Sequence, residues 1–179
     1  MKKILNVLFL TLLFSCTSED TSGNPEDDDF DRQAMLVNLT DNIILPSFYD
    51  LEEKLSELKN NLDSFSEKLD LASLTPLRES FFDAYRSWQH VEMFNIGKAE
   101  EIYYAQKMNI YPSNVSRIHL NMTKVDLDLD SGQNEYSAQG FPALDYMLFG
   151  LGDNDNEILL TYSNQNNNSL AYLNTLVNK

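Results

Sequence analysis

The side chains able to hold a metal or move a proton are few and unevenly placed. The chain has two histidines, His90 and His119, one cysteine, Cys16, and 28 Asp and Glu against 13 Lys and Arg. The histidines are far apart, and no His-Glu-x-x-His or Ser-His-Asp spacing is spelled out around them. Asp126, Asp128 and Asp130, followed by Gly132, imitate the start of a calcium loop. Ser131 takes the sharp-turn position, however, and Ser137 the twelfth, where a bidentate glutamate is required, so an acidic loop is expected. Glu92 stands out more. The helical line Leu77, Phe81, Tyr85, Trp88 reaches Glu92 at its next step and places a carboxylate on an aromatic face. A buried carboxylate is costly unless it is paired or bound to a cation. The alternative is a helix that has drifted by then, with Glu92 in solvent and Val91 and Phe94 packed.

The elements that must position these groups read as helices. Ile44, Phe48, Leu51, Leu55, Leu58, Leu62, Phe65 and Leu69 recur at intervals of four and three, the seam of a long helix in a bundle. Pro46 is expected to kink that helix near its start or divide it, because it lacks an amide donor and crowds the preceding turn. Ser73 or Thr75 can cap a second helix with Pro76 in its first turn, burying Leu74, Leu77, Phe81, Tyr85 and Trp88. Asn164 to Asn168 reads as a flexible connection. Beyond it, Leu170, Tyr172, Leu173, Leu176 and Val177 begin one more amphipathic helix, with no Gly or Pro stop signal before Lys179.

The amino terminus reads as a leader. Lys2 and Lys3 precede an apolar run from Ile4 to Phe14, too short for a permanent membrane helix, and Leu13-Phe14-Ser15-Cys16 closes it. This pattern resembles a bacterial lipoprotein signal peptide, residues 1–15, with Cys16 as the lipidated residue. Each buried methylene of an acyl chain contributes about 0.8 kcal/mol, so several chains anchor stably. With Cys16 modified, no thiol is left for disulfides, thiolate zinc sites or cysteine nucleophiles. Residues 16–31 are polar and acidic, including Asp27-Asp28-Asp29, and read as a tether to a domain over 32–179. The net charge of −15 argues against nucleic acid, whose phosphates require clustered cations.

Three segments carry a family resemblance. Gln139 to Gly150, QGFPALDYMLFG, is similar to the imelysin signature Gly-x-His-x-x-Glu followed by an apolar helical turn and a glycine. Trp88 to Gly97, with Glu92 and Phe94 between them, resembles a second pattern of the family, and Asn109-Ile-Tyr111-Pro112 resembles its Asn-x-Trp-Pro segment. The order of the three is also that of the family. The resemblance implies an all-α, imelysin-like helical bundle with a four-helix-bundle-like half and a long kinked first helix. It further implies that this chain is the amino-terminal half, its apolar faces covered by a second half or by self-association. Glu92 and Asp145 match the carboxylates of the family's proposed metal or ligand site, whereas Pro142 stands where the family has histidine and cannot coordinate metal.

An oxygen-only pair suits calcium, magnesium, manganese or ferric iron better than zinc. The expected function is that of a lipid-anchored envelope protein binding a divalent or ferric ion, or an iron-related ligand, alongside envelope uptake proteins. A non-catalytic scaffold with a decayed site is the alternative. A metallopeptidase fits least, because the histidine ligand is missing and no general base with a bound water can be assembled.

Overall fold

The computed structural model describes residues 30–164 and 166–179. The expected leader, Cys16 and all of the tether before Phe30 lie outside those residues. The chain divides into two compact units, residues 1–35 and 36–179. Of the first, the described part is Phe30, Asp31 and the opening turn of α1 (Arg32–Leu39). Among the described residues every regular element is helical, and none is long and apolar enough to cross a membrane. The all-α expectation holds.

The second unit is organised by two long helices, α2 (Leu45–Glu67) and α3 (Leu71–Trp88), packed against each other through a three-residue connection. The seam read from spacing is the buried one: Leu51, Leu58, Leu62 and Phe65 are inside, and Leu55 and Leu69 flank them. Phe48 is more exposed than that seam implies. Between α1 and α2 the backbone forms a π-helical turn, Thr40–Ile44, just before Pro46 in the first turn of α2. Proline offers no amide to the preceding turn, and the wider ladder of a π turn absorbs that loss. The long first helix is therefore interrupted where Pro46 required it.

The cap of α3 differs from expectation. Asp70, rather than Ser73 or Thr75, is the N-cap: its Oδ1 accepts the Ser73 amide at 2.9 Å, which holds its carboxyl below the usual range together with a bond from the Ser73 hydroxyl. Pro76 consequently sits inside the helix.

Four short elements follow: α4 (Lys98–Glu101), α5 (Tyr104–Met108), α6 (Val115–Asn121) and a 3-10 helix (Gln133–Ala138). They lead into α7 (Gly140–Phe149), which contacts α3, α5, the 3-10 helix, α8 (Asp155–Ser163) and α9 (Ser169–Val177). Seven of its ten residues are buried, so α7 is the central strut of the unit. Arg78 of α3 ties α7 to α8: Nε donates to the Leu148 carbonyl at 2.9 Å, Nη1 pairs with Asp155 at 2.7 Å, and the guanidinium lies over the Phe149 ring. The expected last helix forms as α9, with Tyr172, Leu173 and Leu176 inside. At its start, Asn168 donates its amide to the Met122 carbonyl and its side chain to the Lys124 carbonyl.

One buried charge sits beneath these short elements. Glu135 is 3 % exposed, accepts the Asn121 side-chain amide at 2.8 Å, and has Arg117 and Lys124 each 3.6 Å away. A buried carboxylate survives there because two cations and a donor share its charge. Glu135→Ala is expected to lower unfolding free energy by about 2–3 kcal/mol by stranding Asn121 and both cations. Exposed Glu79→Ala should shift it by less than about 0.5 kcal/mol in the same urea titration.

Candidate functional site

The three segments singled out by sequence meet at the start of α7. Trp88, the last residue of α3, packs edge-on against Tyr104 of α5 at 5.3 Å and against Phe141 of α7 at 6.1 Å. Tyr85 stacks on Phe141 at 4.8 Å and donates its hydroxyl proton to Asn109 Oδ1 at 3.0 Å. One aromatic node thus joins the Trp88 helix, the Asn109 segment and the signature helix. Buried aromatic pairs in tilted or offset geometry contribute beyond the area they bury. Within this region the Trp88 indole N–H and the Asn95 amide oxygen are buried without a hydrogen-bond partner. Tyr111 and Pro112 are exposed and joined by a cis peptide.

Gly140 makes this convergence possible. Its φ is +71°, and a Cβ there would collide with the Lys107 and Met108 carbonyl oxygens at the end of α5. Both the backbone conformation and the close approach exclude a side chain. Gly97, at the start of α4, has φ +59° but open space around it, so only its conformation selects glycine. Pro142 is the third residue of α7 and is buried. Amides of the first turn have no partner within the helix, so proline costs nothing there and fills core volume.

The candidate carboxylates are placed differently from the aromatics. Helix α3 ends at Trp88, and the chain continues through turns in which the His90, Val91 and Phe94 amides bond three residues back. This tighter winding breaks the line from Phe81 through Trp88. Val91 enters the core, Phe94 packs at its edge near Phe48 at 6.4 Å, and Glu92 is exposed. Of the two placements open to Glu92, the aromatic face is the one the structure does not take: Val91 and Phe94 pack, and Glu92 lies on an exposed turn, its carboxylate making no hydrogen bond or ion pair with the described residues.

Asp145 lies on the outer face of α7, between buried Leu144 and half-buried Tyr146, and likewise makes no ion pair. Partial burial without a cation raises its carboxyl above the usual range. Its neighbour Tyr146 accepts or donates a 2.8 Å hydrogen bond with His119 Nε2. Among the described residues no three His, Cys, Asp or Glu side chains come together as a metal-binding group. A cation on Glu92 or Asp145 would therefore depend on ligands from water or a partner.

Other charged groups cluster between elements distant in sequence. Asp130, taken above as part of an acidic loop, accepts hydrogen bonds from Lys107 at 2.8 Å and from Lys179, which lowers its carboxyl to about 2. Asp128 uses its own carboxylate to accept the Asp130 amide at 2.8 Å, so the loop is shaped by its acids instead of gathering them around an ion. No local spacing signals that Lys107, 23 residues away, is the partner of Asp130.

The imelysin family model matches residues 44–179, and the chain belongs to the imelysin family, whose members are associated with the cell envelope. No curated protein and no solved structure matches it.

Two expected outcomes test this geometry. Gly140→Ala should cost about 3 kcal/mol or more, because strain and collision add, whereas Gly97→Ala should cost about 1–2 kcal/mol from backbone conformation alone. Chemical denaturation of both variants measures the contrast. Asp145→Asn should raise the melting temperature at pH 7, where the folded state carries a disfavoured carboxylate. Because the folded carboxyl titrates above its unfolded value, that gain should shrink as pH falls through the raised folded value and vanish below about 4. Thermal melts across pH 3–8 read both limbs.

Proposed function

We propose that this chain is a non-catalytic binding component of the cell envelope, acting beside iron or metal uptake proteins and held to the membrane by lipid on Cys16. Membership of the imelysin family supports the envelope setting. The observation that carries the non-catalytic reading is the use made of the signature helix. Gly140, Phe141, Pro142, Ala143 and Leu144 are all buried in packing, and Pro142 fills core where the family's histidine would stand. What such a helix offers is a rigid frame for a binding surface, not a reacting group.

A second reading keeps Glu92 and Asp145 as ligands for a divalent or ferric ion. It is favoured by Asp145, whose partly desolvated carboxyl has no cation beside it and would be relieved by one. Peptide hydrolysis has the least support, since among the described residues no side-chain set around α7 supplies both a metal shell and a base.

Growth under iron limitation separates the readings. Deleting the gene should slow growth in iron-depleted medium, and the Glu92→Ala/Asp145→Ala double variant should restore it fully. Failure of the double variant, produced at normal levels, would transfer support to the metal-ligand reading. An unchanged growth rate on deletion would sink the uptake context altogether.

A further inference from the structure

Beside the aromatic node lies a recess of about 320 Å³ bounded by α2, α5, α7 and α9. Leu55, Leu58, Ile102, Met108, Leu144 and Leu176 supply most of its apolar wall, with Tyr104 and Phe141 at its back. That volume is at the lower end of small-molecule sites, which are characteristically apolar with a few placed polar groups. The charged groups here are Lys107, Lys179 and Asp130. Both ammonium groups converge on the single Asp130 carboxylate, so N–H donors are gathered at one end of the recess in an otherwise strongly acidic chain, at −15. Gln139, Gly140 and Phe141, at the start of α7, form an adjoining wall, and no side chain caps that helix terminus. Its partial positive charge adds to that of the lysines.

We infer that this recess binds a free single-chain carboxylate: an apolar tail against α2, α7 and α9, and a carboxylate that shares Lys107 and Lys179 with Asp130. A small inorganic anion fits poorly, because it would meet the repulsion of the whole molecule with nothing to gain from the apolar wall. A neutral hydrocarbon would gain nothing from the lysine donors. Length is limited by the volume, which admits one short chain and not a two-chain lipid. The inference stands apart from the uptake proposal and from Glu92 and Asp145, none of which lines the recess.

Calorimetry on the full chain carrying Cys16→Ser, with hexanoate, octanoate and decanoate, tests it. Affinity should rise about fourfold per added methylene until the recess is filled. Octanol should bind more weakly than octanoate, and Lys107→Gln should weaken octanoate about tenfold while leaving octanol unchanged. Val177→Trp, on the partly exposed rim, should abolish binding of both with an unchanged circular-dichroism melt. Lys107→Arg should retain most of the affinity. Absence of saturable binding across the series would overturn the inference, as would equal affinity for octanol and octanoate. So would a dimer, seen by sedimentation, that Val177→Trp dissolves and that excludes octanoate, since the recess would then be a contact between copies.

Discussion

The close approach of α7 to the end of α5 is the constraint on which the rest of the unit depends. Gly140 passes so near the Lys107 and Met108 carbonyls that no side chain fits, and its positive φ turns the chain directly from the 3-10 helix into α7. That turn delivers Phe141 to Tyr85, Trp88 and the neighbourhood of Tyr104. It also buries Pro142, Ala143 and Leu144, against which the later helices close. Without this contact the long α2–α3 pair would keep its own seam, but α5, α8 and α9 would lose the strut they share. A family signature that reads like a metal site is, in this chain, first a device for bringing backbones together.

How much was legible in the sequence depended on whether the physics was periodic or local. The α2 seam from Leu51 to Phe65 and the face of α9 were readable because burial repeats every three or four residues. The break before Pro46 was readable for the same reason that proline breaks any helix. Periodicity leaves Glu92 open between the aromatic face and solvent, because it says nothing about where a helix stops. The tightened turns after Trp88 rotate the chain by less than a helical step and exchange Val91 for Glu92. Asp70 was overlooked as a cap because Ser73, which it bonds, is itself a capping residue three positions on. The partners of Asp130 and Glu135 were invisible, since they come from other elements and leave no spacing to read.

Charge in this protein is organised around those two acids. Glu135 draws Arg117 and Lys124, and Asp130 draws Lys107 and Lys179, so four of thirteen cations are committed to two carboxylates. The remaining surface is correspondingly more negative than the net charge alone suggests. Such a field favours solubility and rejects polyanions.

Trp88 has a consequence of another kind. It is the only tryptophan in the chain, it is 2 % exposed, and its indole nitrogen is buried among aromatic rings without a hydrogen-bond partner. Its fluorescence therefore comes from one defined place, where the Trp88 helix, the Asn109 segment and the signature helix join. Emission from so dry an indole lies toward short wavelengths and moves to the red once water reaches it. The protein thus carries its own optical gauge of whether that junction is intact, with no label added.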